Sequence, residues 1–290
     1  IIKFLQVIQK VKTIIDLRDE LAQARAMKKK ISLVPTMGNL HKGHLSLIQK
    51  ARKISSYVIV TIFVNPTQFV EGEDFSKYPR TLDSDLELLS QLDIDLVFVP
   101  EVSEIYPING DAASIEVSVP ELESIHCGKY RPGHFQGVAT IVSKLFIAVQ
   151  PDIAVFGEKD YQQLLIIRSL TKNLFLPIKI VGSPTIREDS GLAMSSRNNY
   201  LTEQEAERAP KLYGCIKTSI ETIKNGERDY KKLENDAIVF LEGVGFKVEY
   251  YCICDSETLG PIEGDDIVVL AAVWLGKTRL IDNARVHTYY

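Results

Sequence analysis

The sequence predicts an α/β fold: a Rossmann-like, doubly wound parallel sheet followed by a second, smaller α+β domain. Over roughly the first 180 residues, short apolar runs alternate with helical patterns, as strands and helices do in a parallel sheet. The chain has 290 residues, more than one hydrophobic core usually holds. Beyond about residue 186 the pattern changes to charged helices followed by strands. These three observations predict two domains, 1–184 and 185–290.

The start of the chain contains one strand–helix–strand unit. After a helical pattern at 11–27, "ISLVPT" (31–36) is predicted to be a strand that Pro35 ends. A helix is predicted from about residue 43 to 54. "YVIVTIFVN" (57–65) is predominantly apolar, as expected for a parallel strand that is buried on both faces.

The same alternation continues through the first domain. A polar loop leads to a predicted helix at 82–91 and the strand "DLVFVP", and a less regular region extends to about residue 132. Helix 136–149 then precedes the strand "IAVFG", and helix 161–174 precedes the strand "IKIVGSPTI". Ligands of such sheets bind at the carboxyl ends of the strands, so the functional site is expected there.

The second domain is predicted from helices rich in Glu, Lys and Arg, followed by two strands, "FKVEYYCICD" and "DIVVLAAVWLG". Strands that follow helices in this way are typical of a small α+β domain.

Composition excludes several function classes. The formal net charge of -4 argues against a nucleic-acid-binding surface, although it allows a local pocket for one nucleotide. The longest apolar run, "IVVLAAVWL", is less than half of the roughly 20 residues that a membrane helix needs, and no signal peptide is expected. Four cysteines without a CxxC spacing indicate reduced thiols and a cytoplasmic protein.

Chemically suggestive side chains follow three of the predicted strands. His41 and His44 follow the strand at 31–36, Asn65 and Gln68 follow the next, and Lys159 follows "IAVFG". A helix N-terminus offers free backbone N–H groups and a partial positive charge to a phosphate. The pattern therefore favours a nucleotide site.

Each of these stretches has an alternative interpretation. His41, His44 and His134 could form a zinc site, but Lys42 occupies the place of the metalloprotease glutamate and Gly43 interrupts the helix. The turn around Lys159 could be a charged helix cap. "AMSSRNNY" (193–200) could close on a phosphate or cap a helix, and "YRPGHFQG" (130–137) could be a rigid turn. Asp83 and Asp85 could be helix-start acids or Mg²⁺ ligands.

Six stretches of the sequence can be considered together, namely "PTMGNLHKGH", "NPTQF", "YPRT", "RPGHFQGV", "FGEKDYQQL" and "REDSGLAMSSRN". In their order and almost in their spacing, they resemble the pantoate–β-alanine ligase (pantothenate synthetase) family. The resemblance runs from about residue 31 to Asn283. The first ten or so residues and the tail "ARVHTYY" lie outside it and are interpreted as lineage-specific or vector-derived.

The resemblance implies an ATP-dependent ligase of the nucleotidyltransferase superfamily, related in fold to class I aminoacyl-tRNA synthetases. The segment Met37 to His44 matches their HIGH-type ATP loop, and Met194 to Arg197 stands where they have the KMSKS loop. Pantoate would be activated as pantoyl adenylate with release of pyrophosphate, and β-alanine would then displace AMP. The family also implies a homodimer formed through the large domain.

The resemblance also implies the site residues. Those expected at ATP are Pro35, Thr36, Met37, Gly38, His41, Gly43, His44, Gly157, Lys159, Asp160, Ile186, Met194, Ser195, Ser196 and Arg197. Those expected at pantoate or β-alanine are Met37, Asn65, Gln68, Arg131, His134 and Gln163. Those expected to act in catalysis are His41, His44, Lys159, Ser195, Ser196 and Arg197. Because Ser84 stands where several relatives carry an acid, Asp85 is the residue expected to hold Mg²⁺.

Three rival functions remain to be compared with this one. Other adenylyltransferases of the superfamily, such as pantetheine-phosphate or nicotinate-nucleotide enzymes, lack the combination of "NPTQF" and "GEKDYQQ". An aminoacyl-tRNA synthetase is disfavoured by the chain's length, its acidic balance and the missing anticodon-type domain. A non-catalytic nucleotide sensor is expected to have lost His44, Lys159 or Arg197, and all three are present.

Overall fold

The computed structural model describes residues 8–107 and 115–286. The chain divides into two compact units. The first comprises residues up to 158 together with 163–184, and the second comprises residues 159–162 together with those from 185 onward.

A six-stranded sheet, counted over the described residues, forms the centre of the first unit. Its strands are β1 (Gln9–Val11), β2 (Ile31–Thr36), β3 (Tyr57–Ile62), β4 (Leu96–Phe98), β5 (Ile153–Gly157) and β6 (Lys179–Ser183). They lie in the order β1-β4-β3-β2-β5-β6, and every neighbouring pair is parallel.

Helices connect these strands. They are α1 (Ile14–Ala26), α2 (Lys42–Ile54), α3 (Leu82–Ser90), α4 (Val102–Ile105), α5 (Pro120–Glu123), α6 (Cys127–Tyr130), α7 (His134–Val149) and α8 (Tyr161–Asn173). Apolar residues at helical spacing bury one face of α1 and of α2, whereas α7 is buried along most of its surface. Thr13 caps α1 by accepting a hydrogen bond from the Asp16 backbone N–H at 3.1 Å.

The sheet has an apolar cluster on each face. Ile59 of β3 belongs to the cluster that contains Leu21 of α1 and Phe146 of α7. Val60, the next residue of β3, belongs to the cluster that contains Ile48 of α2. Successive side chains of a strand point to opposite faces, so helices cover both sides of the sheet. The predicted doubly wound α/β class is confirmed.

The strand order reverses between β2 and β5. From β2 the chain proceeds outward to β3 and β4, whereas β5 returns to the other side of β2 and continues to β6. In open α/β sheets, ligands bind outside the carboxyl ends of the strands at such a switch point. In this sheet those ends are Thr36 and Gly157.

The second unit contains an antiparallel sheet of β7 (Lys247–Asp255), β8 (Ile267–Leu275) and β9 (Thr278–Val286) in the order β7-β8-β9. Its helices are α9 (Glu203–Arg208), α10 (Lys211–Lys224) and α11 (Tyr230–Gly243). Ile216 of α10 and Leu241 of α11 pack with Val269 of β8 in one apolar cluster. This sheet with its helices is the smaller α+β part of the predicted fold class.

Strands β1 and β9 were not predicted from the sequence. β1 has only three residues, too few for an apolar pattern to be recognised. Its pairing with β4 identifies it as a strand. β9 forms a hairpin with β8 across the two residues Gly276 and Lys277, and Gly276 has a φ of +57°. Such turns favour glycine because they require positive φ. That signal is visible in the sequence.

Two further expectations were wrong. Pro35 does not end β2, which continues to Thr36. The pairing of β2 with β5 stops at Leu33. Pro35 therefore lies where β2 has no partner on that side, and its missing N–H is tolerated there as on an edge strand. The tail "ARVHTYY" is not wholly extraneous, because its first three residues belong to β9 and Val286 is buried. Residues 287–290 lie outside the described part of the chain. Among the described helices, none combines the length and the apolar character needed to cross a bilayer.

Candidate active site

The loop after β2 has an unusual backbone that is held in place by a buried carboxylate. Gly38 and Asn39 have φ values of +80° and +50°. The Asn39 N–H donates to Asp85 Oδ2 at 2.9 Å, and the Leu40 N–H donates to Asp85 Oδ1 at 2.7 Å. A Cβ on Gly38 would lie 2.9 Å from the same carboxylate. Glycine is therefore required at residue 38 both by backbone conformation and by space.

His41 and His44 begin α2 and are oriented by its backbone. The Gly43 N–H donates to His41 Nδ1 at 3.1 Å, and the His41 N–H donates to His44 Nδ1 at 3.3 Å. A nitrogen that accepts a hydrogen bond carries no proton, so both neutral rings are protonated at Nε2. The two ring centroids are 4.1 Å apart. The pair presents two Nε2–H donors at a helix N-terminus, next to the strand-order switch point.

The turn after β3 contains Asn65 and Gln68. The Asn65 side chain is 1% exposed and donates to Gln68 Oε1 and to the Gly137 carbonyl, both at 3.2 Å. It accepts from the Tyr106 hydroxyl at 2.7 Å and the Thr67 hydroxyl at 3.0 Å. Burial raises the pKa of Tyr106, which keeps the phenol protonated. The expectation that Asn65 binds pantoate does not fit, because all four hydrogen-bonding positions of its amide are used by other groups of the protein.

The Gln68 side chain, in the same turn, has a weaker set of hydrogen-bond partners than Asn65. It is half-buried, and its Nε2 lies 2.8 Å from Met37 Sδ, on the loop after β2. A thioether is a weak acceptor, so a stronger acceptor on a ligand can replace it. The sheet thus brings Met37 and Gln68, two of the residues predicted for pantoate, into contact.

Arg131 and His134 precede and begin α7. Arg131 makes two hydrogen bonds to the Glu73 carboxylate, Nε to Oε1 at 2.5 Å and Nη2 to Oε2 at 2.7 Å. Arg131 Nη1 lies 2.8 Å from His134 Nε2, and His134 Nδ1 lies 2.6 Å from the Gln68 carbonyl oxygen. Both ring nitrogens of His134 are engaged, which does not fit the three-histidine zinc alternative.

Asp85 does not fit the Mg²⁺ role expected of it. Its side chain is buried, and both carboxylate oxygens accept hydrogen bonds, from the Asn39 and Leu40 amides and from the Thr81 hydroxyl at 3.3 Å. The Asp85 carboxylate accepts the backbone N–H groups that water would otherwise bind, so it positions the loop and is not placed to hold a metal ion. Its neighbours Asp83 and Ser84 are exposed.

β5 ends at Gly157, and α8 follows after one short turn. Gln163, predicted to hold pantoate, lies in the first turns of α8 and is half-buried, whereas the helix residues on either side of it are buried. It belongs to the first unit. Gly157 is also predicted for ATP. The other residues of this unit predicted for ATP lie at the end of β2, in the loop after it or at the start of α2, and they are Pro35, Thr36, Met37, Gly38, His41, Gly43 and His44.

The second unit holds the remaining predicted ATP residues. Lys159 is one-fifth exposed, its Nζ is 3.9 Å from Asp160 Oδ1, and its carbonyl accepts from Asn283 Nδ2 at 2.8 Å. The Met194 N–H donates to the Ile186 carbonyl at 2.9 Å. Ser195 caps the turn that contains Ser196 and Arg197, because its Oγ accepts from the Arg197 N–H at 3.2 Å.

The residues that support this segment were not predicted from the sequence. Arg187, next to Ile186, makes two hydrogen bonds to the buried Asp282 carboxylate, at 2.6 and 2.9 Å. Its guanidinium also lies 3.3 Å from the centre of the Tyr213 ring. Arg187 and Asp282 are 95 positions apart, so no local pattern could have predicted the pair.

The family described as Pantoate-beta-alanine ligase matches residues 9–285, a longer span than the resemblance found from the sequence. The chain is 50% identical over 274 residues to the pantothenate synthetase of Hahella chejuensis, covering 94% of this chain and 96% of that protein. It is 51% identical over 275 residues to the pantothenate synthetase of Pseudomonas fluorescens, covering 94% and 96%.

Solved structures give the same result. A pantothenate synthetase from Thermus thermophilus superposes with a TM-score of 0.90 at 40% identity, covering 97% of this chain and 100% of that one. A pantoate-beta-alanine ligase from Francisella tularensis, complexed with beta-gamma ATP and beta-alanine, superposes with a TM-score of 0.77 at 36% identity, covering 96% and 97%.

Proposed function

The chain belongs to the pantoate-beta-alanine ligase family, and from that membership we propose that it condenses pantoate with β-alanine to pantothenate at the expense of ATP. In the first step a pantoate carboxylate oxygen attacks the α-phosphorus of ATP, and the bond to pyrophosphate breaks. In the second step the amine of β-alanine attacks the acyl carbon of pantoyl adenylate, loses a proton and displaces AMP.

One observation carries the proposal for the first step. His41 and His44 use Nδ1 to accept backbone N–H groups and keep their protons on Nε2, at a helix start beside the switch point. Two fixed donors at a helix N-terminus suit the charge that develops on phosphate oxygens. Phosphoryl transfer requires charge neutralisation and positioning, so we assign both histidines to phosphate stabilisation, together with the backbone from Pro35 to Gly43.

For pantoate we propose Gln68, Gln163 and Met37 as direct contacts. The Gln68 amide is already aligned by Asn65 and Met37. An amide can donate to one pantoate oxygen and accept from a hydroxyl of the same molecule, which suits a small hydroxy acid. Asn65 supports Gln68 and makes no substrate contact in this proposal.

For the second unit the assignment to ATP follows the resemblance. It covers Lys159, Asp160, Ile186 and Met194 to Arg197, and also Gly157 at the end of β5. Lys159 and Arg197 would neutralise transferring phosphates. Mg²⁺ is proposed as a counterion that accompanies the phosphates, since Asp85 is committed to the loop backbone. A homodimer is proposed from the resemblance, and four cysteines that form no disulfide support a reducing, cytoplasmic location.

Exchange of labelled pyrophosphate into ATP tests the proposal. If the acid is activated first, exchange requires pantoate and proceeds without β-alanine. Exchange that requires β-alanine would contradict a separate adenylate step. Thermal stabilisation separates the rival enzymes, because a ligand at 100 times its dissociation constant adds roughly 2.7 kcal/mol. Stabilisation by nicotinate mononucleotide and none by pantoate would favour the rival adenylyltransferase.

A further inference from the structure

We propose that Glu73, Arg131 and His134 act as positioning residues that hold Gln68 in the orientation needed for pantoate, and that Arg131 does not itself bind the substrate. The proposal rests on the proposed function, because Gln68 is assigned to pantoate there. It replaces the expectation that Arg131 and His134 contact pantoate or β-alanine directly.

The three side chains form one continuous path to the Gln68 backbone. Glu73 accepts two hydrogen bonds from Arg131, Arg131 Nη1 lies 2.8 Å from His134 Nε2, and His134 Nδ1 lies 2.6 Å from the Gln68 carbonyl oxygen. A carbonyl can only accept and a guanidinium can only donate. The neutral imidazole protonated at Nδ1 satisfies both neighbours at once. Arg131 therefore selects the tautomer that donates to Gln68.

The ion pair is poorly suited to a role as a free substrate-binding charge. The Arg131 and Glu73 side chains are 14% and 20% exposed, and the Arg131 charge is already compensated by a two-point contact. A pantoate carboxylate would have to displace Glu73 from that contact. Partly buried ion pairs add little net stability because desolvation offsets attraction. Fixing the geometry of its neighbours is a better account of this pair.

The turn that carries Gln68 is fitted tightly against α7. A Cβ on Gly137 would lie 2.1 Å from the Thr67 carbonyl oxygen, so the backbones touch there and glycine is required. On the same side, Asn65 Nδ2 donates to the Gly137 carbonyl. Close packing fixes where the turn lies, and the His134 hydrogen bond fixes the direction of the peptide group of Gln68, from which its side chain extends.

Steady-state kinetics of Glu73→Gln distinguish positioning from direct binding. If Arg131 acts through Gln68, this variant weakens the hold on Arg131 and raises the KM for pantoate about tenfold, the scale of one lost charge-assisted hydrogen bond, while the KM for ATP stays within twofold. If Arg131 binds pantoate directly, removing its competitor leaves the pantoate KM unchanged or lowers it, and the proposal is overturned.

His134 provides a second and independent test. His134→Leu removes the donor to Gln68 and should raise the pantoate KM about as much as Glu73→Gln. His134→Asn can donate from its amide near the Nδ1 position, so it should recover part of that loss. Equal KM values in both variants and wild type would contradict the proposal. This pair remains informative if Glu73→Gln folds poorly.

Arg52→Gln is the matched control. Arg52 pairs with Asp95 at 3.0 Å and is also partly buried, but the pair lies at the amino end of the sheet. Its loss should change the urea midpoint and leave the pantoate KM unaltered. A wild-type enzyme that does not use pantoate at all would overturn the proposed function and this inference together. Normal wild-type kinetics with an unaltered pantoate KM in Glu73→Gln and His134→Leu would overturn only the inference.

Discussion

Asp85 and Asp95 lie at opposite ends of the parallel sheet, and each accepts hydrogen bonds from backbone amides. Asp95 immediately precedes β4, binds the Val58 N–H at 2.8 Å and pairs with Arg52 at 3.0 Å. Asp85 binds the amides of Asn39 and Leu40 beyond the carboxyl end of β2. The two carboxylates satisfy the same kind of group in different surroundings.

The difference lies in the backbone that each aspartate holds. Val58 belongs to the regular strand β3. The other five residues of β3 also pair with β2, so this pairing would keep the strand extended without Asp95. Asn39 and Gly38 have positive φ values, a conformation that costs free energy and persists when the surroundings enforce it. We therefore expect Asp95 to contribute mainly to stability and Asp85 to maintain the shape of the loop after β2.

The largest expected difference in activity between the carboxyl and amino ends of the sheet is between Lys159→Ala and Lys29→Ala. We expect pyrophosphate exchange to fall about 10² to 10³ fold, equivalent to about 2.7 to 4 kcal/mol, the scale of one preorganised charge removed from a transition state. Lys29→Ala is the matched control, because Lys29 lies 3.9 Å from Asp95 just as Lys159 lies 3.9 Å from Asp160. Full exchange by Lys159→Ala would remove this lysine from the proposed catalytic residues.

Asp85→Asn should have the next largest effect on activity. An amide can accept from one loop N–H but presents NH₂ to the other, which leaves a buried donor without its partner at a cost of about 1 to 3 kcal/mol. We expect the KM for ATP to rise and exchange to fall by roughly tenfold to a hundredfold. The Mg²⁺ concentration at half-maximal rate should stay unchanged. A shift of that concentration, reversed by Mn²⁺, would restore the metal role for Asp85.

Asp95→Asn should have the opposite profile. The unfolding free energy from urea titration should fall by about 1 to 3 kcal/mol, because the Val58 amide and Arg52 lose a charged acceptor. Exchange activity per folded molecule should equal that of wild type. If Asp95→Asn lost as much activity as Asp85→Asn, Asp95 would not be confined to a role in stability, and the contrast between the two aspartates would be wrong.

Tyr57 at the start of β3 should give the smallest effect, seen only in alkali. Burial, and then the charges of Asp95 and Glu20, raise its pKa to about 12. Because the folded pKa lies above the ordinary value of 10, this residue's contribution to stability is complete below pH 10 and is lost as the pH rises toward 12. Urea titrations from about pH 9 to 12 should show a smaller decline for Tyr57→Phe than for wild type. Parallel declines would show that Tyr57 does not control stability in this range.

The elements of the first unit were predictable because their strands are buried on both faces. β3 is buried along its whole length, so the run of apolar residues alone indicates a parallel strand. β1 has three residues and two of them are exposed, so the apolar pattern carries almost no signal there. Pairing with β4 makes it a strand, and pairing is a tertiary property.

The sequence by itself determined the fold class, the family resemblance and the set of polar residues at the strand ends. Those features depend on local patterns and on the order of motifs along the chain. The tertiary structure decided which polar residues are available to a substrate and which support their neighbours. Asp85 and Asn39 are 46 positions apart, and Arg131 and Glu73 are 58 apart. Because a carboxylate, amide or guanidinium can serve either purpose, only the partner that folding brings to it decides its role.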